Sequence, residues 1–357
     1  MGPLPPSCPG PDGPSGGIRT RAPRAPRAGR NPDHPIPAGR ARTDRRHGWR
    51  TWVGAVLAGA LAAGAADCAA ARNGFDLSRT SVPPEAIVAG GPPRDGIPSI
   101  DRPRFVPAAQ ARFLAPADRI LGLTHHGEAR AYPVRILNWH EIVNDTVGGE
   151  PVVITYCPLC GTGIAFRATV NGRRRTFGVS GLLYNSDVLL YDRETDSLWA
   201  QVSGRAISGP SLGTRLQMLV VHTTTWADWR RRHPDTRVLS TRTGFRRDYG
   251  RDPYAGYATD GRPWFPVRHS DPRLAPKTVV LGVVLRGHAK AYPFPELARS
   301  ARSLSDTVGG RTVTVRFDAT HRTARIFDAA GRELAGITGY WFAWYAFHPD
   351  TAVYRAP

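Results

Sequence analysis

Short apolar blocks of β period, each closed by a turn signal, fill the chain from Ile120 onward. Arg119 to Thr124 and Glu128 to Tyr132 alternate or run apolar on either side of Gly127, which predicts a hairpin. The pattern then predicts a short helix over Val134 to Val143, a turn at Asp145 to Gly149, and a strand at Pro151 to Tyr156. Gly163 to Asn171 and Arg174 to Val179 predict another hairpin around Asn171-Gly172. Thr225 to Arg232 reads as a short helix that stops before Pro234, because proline lacks the N–H a further turn requires. Neither regular βαβ alternation nor a Gly-rich nucleotide fingerprint is present. The pattern predicts an α+β, β-rich fold.

The pattern also repeats. Gly127-Glu128-Ala129-Arg130-Ala131-Tyr132-Pro133 and Asn144-Asp145-Thr146-Val147-Gly148-Gly149 return as Gly287-His288-Ala289-Lys290-Ala291-Tyr292-Pro293 and Ser305-Asp306-Thr307-Val308-Gly309-Gly310. Trp226, Trp229 and His233-Pro234-Asp235-Thr236 return as Trp341, Trp344 and His348-Pro349-Asp350-Thr351. So many matches in one order predict two tandem related modules, 119–240 and 280–357, separated by a linker at 241–279. The first is enlarged by an insertion between Arg167 and Leu216. The second is shorter and degenerate. The recurring His233 and His348 read as structural residues at a helix end.

Upstream, the composition changes. Residues 1–50 are rich in Pro, Gly and Arg without apolar periodicity, and read as disordered or as a mis-assigned start. Arg45-Arg46-His47-Gly48-Trp49-Arg50 runs into an apolar stretch from Thr51 that ends in small residues near Ala66. That is the anatomy of an export signal, with a membrane anchor as the alternative for 51–68. A lipid anchor on Cys68 is disfavoured by Asp67 before it. Residues 69–118 read as a Pro/Gly-rich connector. The expected location is periplasmic or extracellular, with membrane contact only through the N-terminal segment if it stays uncleaved.

Export would leave two of the four cysteines, Cys157 and Cys160, in the sequence Cys157-Pro158-Leu159-Cys160. With no distant cysteine left to pair with, they form a redox centre, part of a metal site, or a local staple of the turn. The strand end before Cys157 and the glycines Gly161 and Gly163 are expected to present both sulfurs on one rim. For redox chemistry, His140 and Glu141 are the candidates to manage protons beside Cys157 or Cys160. For metal binding, the candidate ligands are Cys157, Cys160, His140 and then His126, with Cu(I) or Zn as the ion. In the second module the cysteine positions are Asp318 and His321, which with His288 offer an unrelated donor set. The insertion, from Phe177-Gly178-Val179-Ser180-Gly181-Leu182-Leu183-Tyr184-Asn185-Ser186-Asp187 to Trp199, offers Tyr184, Asn185 and Trp199 as pocket residues or, more plainly, a β-meander. Trp139, Trp226 and Trp229 read as core.

The 357-residue chain has a formal net charge of +19. Without residues 1–68 it keeps 38 basic and 25 acidic residues, a net of +13, with Lys277 and Lys290 its only lysines. The arginines alternate with acids and accompany no recognition helix, finger spacing or RNA-binding aromatic box, so no nucleic-acid partner is expected.

Three segments carry a resemblance: Asn138-Trp139-His140-Glu141-Ile142-Val143-Asn144-Asp145, Thr155-Tyr156-Cys157-Pro158-Leu159-Cys160-Gly161-Thr162, and Phe177 through Ser186. From about Ile120 to Thr351 the chain resembles the bacterial exported-protein family catalogued as domain of unknown function 3179. The resemblance implies that some members carry selenocysteine in the motif matching Cys157 to Cys160, which favours redox work; here both positions are cysteine. The leading expectation is an exported thiol/disulfide redox protein acting on an unknown protein or small molecule. Copper or zinc binding by the cysteine pair with a histidine, and a noncatalytic extracytoplasmic scaffold or binding protein, are the alternatives.

Overall fold

The structure, a computed structural model, describes residues 71–357. The leader expected at 1–50, the export segment at 51–68, Cys8 and Cys68 lie outside the described residues. Among those described, no helix is long and apolar enough to cross a membrane.

Strand β1 (Arg119–His125) pairs with β2 (Glu128–Pro133), placing Leu121 opposite Tyr132. His126 and Gly127 both take positive φ, the twist a two-residue hairpin turn needs. Helix α1 (Val134–His140) ends at Glu141, whose φ of +57° breaks the helix. It is therefore shorter than expected, and Ile142 and Val143 open β3 (Ile142–Val147) instead. Next come β4 (Glu150–Cys157) and β5 (Thr162–Arg167), paired so that Cys157 faces Thr162 across the turn. The hairpin expected at Asn171-Gly172 exists but spans only Thr169–Val170 and Arg173–Arg174. The longer strand beyond it, β6 (Phe177–Tyr184), pairs with β7 (Asp187–Asp192) in a different sheet. Then follow β8 (Val221–Thr225), α2 (Trp226–Arg232) and β9 (Arg237–Leu239). Thr225 caps α2, accepting from the Asp228 N–H.

The last third contributes β10 (Val279–Leu285), β11 (His288–Pro293), α3 (Phe294–Arg299), β12 (Ser303–Val308), β13 (Arg311–Asp318), β14 (Thr323–Asp328), β15 (Ile337–Tyr340), α4 (Trp341–Phe347) and β16 (Ala352–Val353). Its pairings follow those of the first half. The order β8-β1-β2-β9 is matched by β15-β10-β11-β16, and β9 and β16 each run parallel to their neighbour. Strand Met218–Leu219 followed by β5, β4 and β3 is matched by strand Glu333–Leu334 followed by β14, β13 and β12.

A fifth sheet has no counterpart. It runs from strand Arg205–Ala206 through strand Leu198–Ala200, β7 and β6 to strand Ile87–Ala89, so the insertion builds a sheet of its own and draws in a strand from the connector. The fold is thus β-rich with short helices, its five larger sheets in a propeller-like arrangement.

Glycine and tryptophan pin the helices to the sheets. Trp229 of α2 packs on Gly122, and Trp344 of α4 on Gly282, each so closely that a Cβ would collide with the indole. The Trp229 and Trp344 indole N–H groups donate to Thr236 and Thr351, both at 2.9 Å. His233 and His348 lie against the same indoles, with ring centroids 4.0 and 4.1 Å away. The Cys157–Cys160 turn and its counterpart at Asp318–His321 each rest on the opposite half. The Tyr340 N–H donates to the Cys160 carbonyl at 2.8 Å, and Thr225 Oγ1 bonds His321 Nδ1 at 2.7 Å.

Candidate functional site

Strand β4 delivers Cys157 at its last position, and the turn through Pro158 and Leu159 returns Cys160 beneath it. Both thiols are free and buried, Cys157 at 1% exposure and Cys160 at 0%. The exposed rim expected for them is corrected: Leu159, Trp341 and residues of β6 and β7 close over the turn in the same apolar cluster.

The floor of the site comes from the β6–β7 turn. Tyr184 pairs with Asp187, leaving Asn185 (φ +55°) and Ser186 (φ +63°) as a two-residue loop. This conformation turns the Ser186 carbonyl to both sulfurs, 3.3 Å from Cys160 Sγ and 3.9 Å from Cys157 Sγ. The next residue, Asp187, places a carboxylate oxygen within 4.8 Å of both sulfurs. Its Oδ2 accepts from the Val202 N–H at 2.9 Å, while Oδ1 is buried without a partner. Ser186 Oγ and the Tyr257 hydroxyl are also buried and unpartnered. Burial pushes the Asp187 carboxyl up to about 7 against the opposing pull of the Val202 N–H and of the neighbouring Cys160 and Cys157 thiols. Burial, then Cys157 and Asp187, push the Cys160 thiol well above its ordinary range. Among the described residues, no arginine, lysine or histidine bonds or pairs with Cys157, Cys160 or Asp187.

Glu141 borders this site. Its side chain is buried, accepts from the Tyr254 hydroxyl at 3.4 Å, and is raised to about 8 by burial, with Asp187 adding to the effect. His140 does not join it, which corrects its assignment as proton carrier and metal ligand. Its Nδ1 lies 2.7 Å from the Pro98 carbonyl, which can only accept, so Nδ1 holds the hydrogen and Nε2 accepts from the Tyr249 hydroxyl at 2.7 Å. Both nitrogens are spent, and burial lowers its basicity. The break in helix α1 at Glu141 sends the two neighbours to different surroundings.

His126 is likewise removed from the cysteines. It stacks on His125, and the two group with Glu150 at the first hairpin. Trp199 is core rather than pocket wall: it lies edge-on to Phe177 and donates to Asp192 at 2.9 Å. Tyr184 packs edge-on against Phe347, and Asn185 donates to the Ala346 carbonyl at 3.1 Å. Both hold α4 in place instead of lining a cleft, the plainer β-meander reading of the insertion. Asp318 and His321 gather with Asp228, not His288, and Arg231 and Arg232 already neutralise Asp228.

The residues missed were Ser186, Asp187 and Tyr257. The signal for the first two was the Asn185-Ser186-Asp187 turn, where polar residues interrupt apolar strands. Nothing in the sequence pointed to Tyr257.

Residues 94–351 match the family described as "Protein of unknown function (DUF3179)". The chain belongs to this family. The match spans both halves and the inserted sheet apart from its edge strand Ile87–Ala89, so the cysteine turn and the Ser186–Asp187 turn both fall inside the family's own domain. No curated protein and no solved structure matched the chain.

Proposed function

We propose that this protein binds one thiophilic metal ion through Cys157, Cys160 and Asp187, with zinc favoured over copper(I). One observation carries the reading: three ionisable groups converge in the interior with no basic side chain to balance them. Ionising even one such group in a low-dielectric interior costs several kcal/mol, about that much per ion. Left alone, the Cys160 thiol stays protonated and unreactive. A reactive cysteine needs an electropositive, partly exposed setting, the reverse of this one. A cation supplies the missing charge and gives the orphaned Asp187 Oδ1 a partner. Thiolates suit both metals, whereas a carboxylate donor suits zinc better than the softer copper(I). Three protein ligands leave a fourth position for a ligand from outside or for a neighbouring oxygen.

A second reading, a dithiol/disulfide couple, is favoured by the spacing of the sulfurs and by a carboxyl near neutral pH beside them. A small disulfide reaching the site would be cleaved to two thiols as the Cys157–Cys160 bond forms; both thiol protons pass to the departing sulfurs, one of them by way of Asp187. On either reading, the segment at 51–68 exports the chain, and the second half is a copy of the first that gave up its sulfurs for Asp318 and His321.

Metal analysis of protein purified under reducing conditions tests the proposal. About one equivalent is expected in the wild type and in His140→Ala, and loss is expected in Cys157→Ser and Asp187→Ala. Metal-free wild type that takes up no added zinc would sink it. In that case, reversible disulfide formation under a glutathione buffer would promote the second reading.

A further inference from the structure

A cavity of about 270 Å³ opens where the two halves meet, and Gly161, the residue after Cys160, lines it. Its wall carries three cationic side chains, Arg119, Lys277 and Arg322, and no carboxylate. The Arg119 guanidinium donates only to carbonyls, those of His321 at 2.7 Å, Thr223 at 3.0 Å and Arg322 at 3.1 Å. Arg322 makes no ion pair among the described residues. Lys277 sits 3.3 Å above the Tyr257 ring and donates to that residue's carbonyl. Burial and the nearby Arg322 bring Arg119 down to about 10, as expected of a cation held without a counter-charge. Two acids in the neighbourhood have their own partners: Asp252 accepts from Asn138, and Asp260 accepts from Trp264 and acts on Lys277 only through its charge, without an ion pair.

Arg322 supplies an independent sign. It follows His321 as Gly161 follows Cys160, each just before the threonine that reopens the ladder. Both adopt the left-handed backbone, φ +46° for Arg322 and +63° for Gly161. Glycine takes that conformation freely and arginine does not. A strained position that keeps a long cationic side chain at the mouth of a basic cavity marks a functional use for that side chain.

We infer that this cavity binds a small oxyanion, a molecule bearing a phosphate or carboxylate group, between Arg119, Arg322 and Lys277. The volume falls just below the usual range for drug-sized ligands, so the ligand is small. Guanidinium forks match the geometry of both anions, and Tyr156 and Tyr340 add phenol donors on the same wall. The site uses none of the residues assigned to metal, so either conclusion stands if the other falls.

Thermal unfolding of the full chain with sodium phosphate or citrate, at ionic strength matched by sodium chloride, tests this. The expected result is a saturable rise in Tm of several degrees with at least one anion, phosphate or citrate identifying the group. Arg322→Gly restores the residue that suits the turn, so it should fold at least as well as wild type while its apparent affinity falls tenfold or more. Shifts that never saturate, or an unchanged affinity in Arg322→Gly, overturn the inference. So does the absence of saturable heat when phosphate and citrate are each titrated into wild type in a calorimeter.

Discussion

The Trp229 ring occupies the space a side chain on Gly122 would need: a Cβ there would stand 2.3 Å from Cε3. Gly282 and Trp344 repeat the arrangement at 2.2 Å. Both indoles are buried and hydrogen-bonded, so neither can retreat. Gly122→Ala and Gly282→Ala are each expected to destabilise the fold by about 1–3 kcal/mol, the usual range for overpacking. Urea denaturation reads the change in midpoint. An unchanged midpoint for both would show that the helices are not pinned as described.

Ser186→Gly should act in the opposite direction. Serine at φ +63° is strained, and its hydroxyl is buried without a partner. Glycine removes both costs while leaving the carbonyl that faces the sulfurs. A gain of about 1 kcal/mol is expected, less the extra freedom glycine gives the unfolded chain. A clear loss of stability would mean that the hydroxyl has a partner.

The thiols should be silent toward reagents in the native state. With exposures of 1% and 0%, Cys157 and Cys160 should resist Ellman's reagent in buffer and react after guanidinium is added. Prompt reaction of either thiol in the metal-free native protein would show an opening the fold does not display.

Acid should act through Glu333. Burial alone would raise its carboxyl, but hydrogen bonds and charge from Arg325 and His222 bring it down to about 2 from an ordinary 4.5. The folded state therefore holds the proton less tightly than the unfolded one. Its contribution is complete above pH 4.5 and disappears as pH falls toward 2. Chemical denaturation at stepped pH should show this slope, and Glu333→Gln should flatten it. An equally steep slope in that variant would assign acid sensitivity to other groups.

His348 adds a second window. Burial and then Arg215 lower its imidazole to about 4 from 6.5, so folding favours the neutral ring against Trp344. Its contribution is present above pH 6.5 and is lost between 6.5 and 4. His348→Gln should be less stable at pH 7.5 but lose less on acidification through that window. Parallel pH profiles for variant and wild type would contradict this.

Much of the architecture was legible because it follows local rules. Gly127 marked a hairpin and Pro234 stopped a helix, and the recurring residue strings lie on strands paired in matching orders. The site was legible only in its sulfurs. His140 and Glu141 adjoin in sequence, yet a single backbone reversal at Glu141 separates them, and composition does not announce such a reversal. Asp187 lies 27 residues beyond Cys160, in a sheet whose position depends on long-range packing. Tyr254 and Tyr257 come from a stretch read as linker, where Pro and Gly hid two aromatic residues that reach the interior.

The hairpin that faces the sulfurs belongs to the one larger sheet without a twin. The matching strand orders therefore account for the turn that carries the sulfurs, while the surface opposing it comes from outside them. A shorter cousin that kept Cys-Pro-Leu-Cys but lacked this hairpin would carry two mute sulfurs, and the motif alone would be a poor guide to which cousins are active.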